Sequence, residues 1–499
     1  MSATDLVRAA AVRTNRYWPF SQLNRLAYGL ALRAFLSHCT TSSAVRSVYL
    51  RHGLVQRDWV PGLSDIDLTI TFDGGLSERE EWAFARDFWR RQQRLQPLVP
   101  MVRASDISLI SEAYLESWTS LGIKGYEART WKLVRGRPNL RGAFPPGTDQ
   151  VRDDAFDYGL SWHEYFLLPW TWDDARQTPL RHLEMQRLAR KVRRYASYDR
   201  LPEPCCDALR AERPDRFAVV ACAIRGLDQS IRDICAASRR ESGAAEWTEG
   251  VGLPAAAEGE AARALRNAGE ETGALEAAYL VDQDRIAVLR DDLPCAAIRG
   301  FLERLKRTYP PGDAPPLVVS ARVLEQMLRW YRPFLYWRWA RHREIAHGRD
   351  VMAENPPPSV QALVRDVLAE VPRLLSFAQR AEVVHETGMS ARRKHALDGM
   401  LWRALLARLY LEDGIIHHTR FDLVKLTRAR YPEPYRVLRE LEERPEVAGD
   451  SARNQALFRL FRDLARDVDR ALTRWRGDQT SPSVPLEISP TLEAVWPGS

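Results

Sequence analysis

Pro61-Gly62-Leu63-Ser64-Asp65-Ile66-Asp67-Leu68-Thr69-Ile70-Thr71-Phe72 is the stretch on which the fold turns. From Ile66 to Phe72 it alternates, with Ile66, Leu68, Ile70 and Phe72 on one face and Asp65, Asp67, Thr69 and Thr71 on the other. Such alternation predicts a strand with one face in a core. Two aspartates at i and i+2 then project from the same face. Like charges held that close repel, and each is expensive to desolvate. Mg²⁺, a hard cation that prefers oxygen, relieves the repulsion and leaves positions open for substrate phosphates. Two such ions stabilise both the attacking and the leaving oxygen of an in-line displacement at phosphorus. The bland alternative is the polar face of an amphipathic strand, but aspartate is a poor strand former and is rarely paired in one.

Working outward, Val45 to Leu50 is β-prone and leads through His52 into a turn at Gly53. Leu23, Leu26, Leu30 and Phe35 predict a helix over 21–39. Downstream, Gly74-Gly75 ends the strand, and Ser77-Glu78-Arg79-Glu80 is a capping box for a helix to about Leu95. A second strand is expected over Ala104 to Ser111, a helix around Ile110 to Leu121, and a strand at Trp131 to Val134 closed by Gly136. The metal chemistry calls for a third carboxylate, to hold the second ion and accept the nucleophile's proton. Asp106 opens the next strand and supplies it.

These residues resemble the DNA polymerase beta-like nucleotidyltransferase superfamily, particularly its small-molecule branch. Tyr49-Leu50-Arg51-His52-Gly53 precedes Asp65-Ile66-Asp67 at the family's distance, and Trp59-Val60-Pro61-Gly62-Leu63-Ser64 is similar to its lead-in. Lys132 to Leu140 is similar to the Gly-containing strand that closes many such domains. The resemblance implies an α+β fold, a small mixed-sheet nucleotidyltransferase core, and transfer of a nucleoside monophosphate with release of pyrophosphate. It implies that Asp65, Asp67 and Asp106 bind Mg²⁺, with Asp106 also the general base. It assigns His52, Gly53 and Ser64 to the nucleotide, ATP or another NTP. His52-Gly53 stands where the family has Gly-Ser. Either a cationic His52 contacts phosphate in place of the hydroxyl, or the turn is degraded and the protein senses nucleotide or binds a partner or RNA without transfer.

Beyond 148 the strand signal fades, and a large all-α region is expected. Leu183 to Tyr195 reads as a basic helix, Phe217 to Ala237 as another, and Ala244 to Ala278 as weakly packed helix or flexible insertion. Thr308 to Pro316, with four prolines, reads as a linker. Val319 to Ala346, Val360 to Glu386, Arg392 to Leu411 and Asn454 to Arg474 read as helices, with no evident internal repeat. The expected organisation is 1–44, a helix packing on the core; 45–148, the catalytic domain; 149–307 and 317–478, two helical domains; and 479–499, a tail. Arg341 and His347 resemble the Arg-x₄₋₆-His pattern of HEPN ribonucleases, which would add a ribonuclease activity. Interleaved arginines and aromatics over 328–349 otherwise fit a buried helix with snorkelling arginines.

At 499 residues the chain exceeds one compact core. A net charge of +7 permits phosphate-bearing partners without demanding them. Six scattered cysteines without a C-x₂-C pair argue against zinc and suggest reduced thiols. No signal peptide or membrane span is evident, so a cytoplasmic location is expected. The partners expected are the NTP and a hydroxyl acceptor: a small molecule first, then protein or RNA.

Overall fold

The first strand pair forms where the alternating pattern meets the β-prone run before it. The computed structural model describes residues 3–15, 17–56, 59–115, 128, 130–140, 148–174, 179–197, 215–237, 254–281, 284–310, 313–355 and 358, with isolated positions between 428 and 466. The chain is α+β and divides into two units, Met1–Phe144 with Val367–Ser499, and Pro145–Asp366. No helix among the described residues is long and apolar enough to cross a membrane.

In the first unit α1 (Ala3–Thr14) and α2 (Phe20–Cys39) precede β1 (Val45–Leu50), the short α3 (Gly53–Gln56), β2 (Leu68–Phe72), α4 (Glu78–Leu95), β3 (Ile107–Ser111) and β4 (Lys132–Gly136). The strand order is β3-β2-β1-β4, with β1 antiparallel to β2 and β4, and β2 parallel to β3. The parallel pair requires a crossover, which α4 provides. Its start is the predicted capping box: Glu80 N–H donates to Ser77 Oγ and Ser77 N–H to Glu80 Oε2. Phe35 of α2 and Phe88 and Trp89 of α4 pack with Ile66, Leu68, Ile70 and Phe72 in one core. Each such side chain contributes about 1.5–3 kcal/mol through burial.

The strand begins at Leu68, two residues later than the alternation suggests, and its second face is not polar surface. Thr69 and Thr71 are fully buried. Asn139 Nδ2 donates to Thr71 Oγ1 at 2.8 Å, and the Trp131 ring lies tilted beside Tyr49, so residues flanking β4 cover that face. The helix expected from Ile110 is instead strand to Ser111 and one helical turn over Glu112–Tyr114, which Ser111 caps; residues 116–127 lie outside the described ones.

The second unit holds α5 (Thr148–Trp162), a wide turn over His163–Leu167, α6 (Leu168–Trp172), α7 (Pro179–Ser197), α8 (Arg216–Ala237), β5 (Ala255–Ala256), α9 (Glu260–Thr272), β6 (Leu275–Val281), β7 (Asp284–Leu289), α10 (Cys295–Thr308), β8 (Leu317–Ser320), α11 (Ala321–Gln326), α12 (Pro333–His342), β9 (Glu344–Gly348) and α13 (Val351–Glu354). Its sheet runs β5-β9-β6-β7-β8. The expected all-α region is therefore corrected: five strands lie between residues 255 and 348. The Ala-rich stretch ends in a buried strand, because small side chains let α9 lie close against β6 and β9. Residues 308–316 are a connection inside this unit rather than a linker between domains, since β7 and β8 on either side of them pair in parallel. The helix expected over Val319 to Ala346 is broken by Pro333 and ends at His342, and β9 follows.

Cys295 is disulfide-bonded while Cys39, Cys222 and Cys235 are free, which corrects the expectation of reduced thiols throughout. The helices expected over Val360 to Glu386 and Arg392 to Leu411 and the tail at 479–499 also lie outside them, as does most of Asn454 to Arg474.

His163 is fully buried, with Nε2 2.9 Å from the Val318 carbonyl oxygen. Burial holds its pKa down at about 4, against an ordinary 6.5. Between those values the unfolded chain binds the proton and the folded unit does not, so stability falls as pH drops from 6.5 to 4. The expected loss is roughly 3 kcal/mol. Denaturant titrations of wild type and His163→Gln across that window check this: the variant keeps a donor for Val318 and should lack that part of the slope.

Candidate active site

The lead-in to the aspartates is a braced turn. Leu63 and Ser64 N–H groups donate to Val60 O at 3.0 and 2.8 Å, and Val60 N–H donates to Ser64 Oγ at 2.8 Å. Tyr28 of α2 donates to Ser64 O at 2.6 Å and accepts from Gly62 N–H. Gly62 has φ +84°, and a Cβ there would lie 2.5 Å from Arg8 O on α1. Only glycine fits that crossing. Ser64, assigned from sequence to the nucleotide, is buried, and its hydroxyl accepts from Val60 N–H within the turn that delivers Asp65.

Asp65, Ile66 and Asp67 run extended into β2. Ile66 N–H donates to Met101 O at 2.7 Å on one side, and Arg51 N–H to Asp67 O at 2.9 Å on the other. Ile66 is fully buried while both aspartates stay half-buried, as the spacing predicts. Asp106 ends the helical turn Ala104–Asp106 immediately before β3. Because Leu68 pairs with Ile107, Asp67 and Asp106 enter adjacent parallel strands at the same level. The three predicted acidic positions thus share one edge of one sheet.

Their side chains are not gathered as a metal cage: among the described residues, no group of three or more His, Cys, Asp and Glu is arranged to hold an ion. Asp65 Oδ1 instead meets Arg103 at 3.2 Å, the arginine side chain 37% and the aspartate 24% exposed. Arg51 is buried and donates from its guanidinium to Asp106 O at 2.8 Å. Ser105 Oγ donates to Asp106 Oδ1 at 2.9 Å. The sequence reading missed both arginines; one follows β1 and the other precedes Asp106 by three residues, positions that carry no pattern of their own. A partly exposed pair such as Asp65–Arg103 contributes about 0.2–1 kcal/mol. The aspartates and Ser105 present oxygen donors, the type Mg²⁺ prefers.

His52 has φ 53°, the left-handed region, and its carbonyl accepts from Val55 N–H at 3.0 Å as α3 begins at Gly53. A non-glycine residue held there is uncommon and stores strain. Gly53 is buried behind it.

The HEPN-like reading loses its setting. Arg341 lies in α12, but His347 lies in β9, paired with Ala278 of β6. The helical context that pattern needs is interrupted after His342. The basic helix lies within α7, with Met185, Gln186 and Ala189 buried in the second unit.

Comparisons with known proteins return no match to a family model, a curated protein or a solved structure.

Proposed function

We propose that the first unit is a Mg²⁺-dependent nucleotidyltransferase that moves a nucleoside monophosphate from an NTP, ATP foremost, to a hydroxyl acceptor. The observation that carries this reading is the pairing of Leu68 with Ile107, which sets Asp67 and Asp106 level, with Asp65 two residues upstream. In the reaction the acceptor oxygen bonds to Pα while the bond from Pα to the bridging oxygen breaks, and pyrophosphate leaves with that electron pair. Asp106 takes the acceptor's proton. Asp65, Asp67 and Asp106 would hold Mg²⁺, which when bound supplies positive charge for the oxygens around phosphorus. With an ion there, Asp65 would serve as its ligand in place of pairing with Arg103, whose guanidinium would be free to meet a phosphate. His52 and Gly53 turn the chain beside this edge, where the triphosphate's outer groups are met.

The acceptor class follows from the resemblance alone: a small hydroxylated molecule first, with protein and RNA behind it. A second reading, nucleotide sensing without transfer, is favoured by the Asp65–Arg103 pair and the strained His52. The test is incubation of the full chain with α-labelled NTPs, Mg²⁺ and cell extract, with and without chelator. Chelator-sensitive label in a product is expected, and its size sorts small molecule, protein and RNA. Nucleotide binding without any pyrophosphate release would favour the sensor.

A further inference from the structure

The sheets of the two units share one construction. In each, a hairpin-paired first and second strand is followed by a helix, a third strand parallel to the second, and a fourth antiparallel to the first: β1, β2, α4, β3, β4 in one and β6, β7, α10, β8, β9 in the other. Each first strand is preceded by a helix that packs against the crossover helix, α2 on α4 and α9 on α10. The registers also coincide. Tyr49 opposes Leu133 and Leu50 opposes Lys132; Tyr279 opposes Ile345 and Leu280 opposes Glu344. Irregularities fall at matching places, Val45/Ser47 and Val48/Tyr49 in one sheet and Leu275/Ala277 and Ala278/Tyr279 in the other.

Side chains match where they hold the sheet. Gly136 and Gly348 both take positive φ, and a Cβ on them would lie 1.9 Å from Arg46 O and 2.0 Å from Glu276 O, second residues of β1 and β6. Tyr49 Oη accepts from Asn139 N–H at 3.0 Å, and Tyr279 Oη from Met352 N–H at 3.2 Å. Ser111 and Ser320 end β3 and β8 and cap the turn that follows. A common topology can arise twice, but coincident irregularities, glycines and tyrosine latches have no such generic cause.

We infer that residues 260–352 are a second copy of the module in residues 20–139, kept as a fold and without its nucleotide site. Residues 52–66, which carry the His52-Gly53 turn and Asp65, have only Asp282 and Gln283 as counterpart. Asp284 takes the place of Asp67 by register, but its Oδ2 accepts from Trp339 Nε1 at 3.0 Å. Register from Ile286–Leu317 puts Pro315 where Asp106 stands, so no third carboxylate enters there. What the copies share holds strands together; what differs is the chemistry assigned to the first.

The test uses the full chain with Mg²⁺ and an ATP analogue blocked between the α- and β-phosphates. About one analogue should bind per chain, lost in Asp67→Asn and retained in Asp284→Asn. Two per chain, or binding that needs Asp284 rather than Asp67, overturns the inference. If no analogue binds, it is the transferase reading that fails, and hydrogen exchange decides the duplication. Tyr49→Phe should speed exchange at the Asn139 amide several-fold, and Tyr279→Phe at the Met352 amide. An effect of the first without the second sinks the copy.

Discussion

Asp67→Asn should lower nucleotide transfer by at least about a thousandfold while leaving the folded first unit intact. Asparagine keeps the shape of the residue leading into β2, and the backbone bond from Arg51 N–H to Asp67 O does not involve the side chain. What disappears is one negative charge from a set of three. Metal-borne charge stabilisation at phosphorus is worth several kcal/mol, and every 1.36 kcal/mol is tenfold in rate. Asp106→Asn should be as damaging and should also flatten the pH dependence, because the proton acceptor goes with it. Arg103→Gln is the informative contrast. It removes the competitor for Asp65, so half-maximal rate should need less Mg²⁺. Initial rates against Mg²⁺ for the three variants check this. If Asp67→Asn keeps its rate and Arg103→Gln loses it, the cation at this edge is the arginine, and transfer through these carboxylates is wrong.

The acidic edge was legible because its signals are local. Alternation around Ile66 to Phe72 and the reciprocal Ser77–Glu80 cap are written within a few residues, and both appear as expected apart from the late start of β2. A single helix between two strands is enough for a parallel crossover, and β2 and β3 pair in that way. The second sheet was not legible for a physical reason. β6 reads Leu-Glu-Ala-Ala-Tyr-Leu-Val and is buried on both faces from Ala277 onward, so period-two alternation has no polar face to reveal it. Its alanines, following the Ala-rich α9, read as helix by propensity. The duplication was hidden likewise: it survives in register, in Gly136 and Gly348, and in two tyrosines, none of which forms a sequence pattern. Arg51 and Arg103 were invisible because an arginine beside a strand is common, and only the folded edge brings them against Asp106 and Asp65.

Arg462→Ala should destabilise the first unit by about 3–5 kcal/mol, although position 462 is far along the chain from the acidic edge. Glu81 of α4 is 1% exposed, and Arg462 Nε meets its Oε2 at 2.7 Å with its own side chain only 5% exposed. A second guanidinium N–H donates to Leu76 O at 2.9 Å, and Tyr114 Oη donates to the same carboxylate at 3.1 Å. Nearby, Phe458 packs on Trp82 with centroids 5.0 Å apart, and Arg459 pairs with Glu78 at 2.8 Å. Removing the arginine leaves a buried carboxylate with Tyr114 as its hydrogen-bond donor and the charge of Arg466 nearby. Burial already raises the Glu81 pKa despite Arg462, and the variant raises it further. The folded variant then takes up a proton that the unfolded chain does not, so the deficit should shrink as pH falls toward 4.5, the ordinary glutamate value. Glu81→Gln with Arg462→Met keeps an acceptor for Tyr114 and buries no charge, so it should recover most of the loss. Urea midpoints at pH 7 and 5 for the single and double variants measure both effects. A single variant with wild-type midpoint at pH 7 would mean that the helical residues around 462 do not dock on α4, and that the core carrying the acidic edge stands without them.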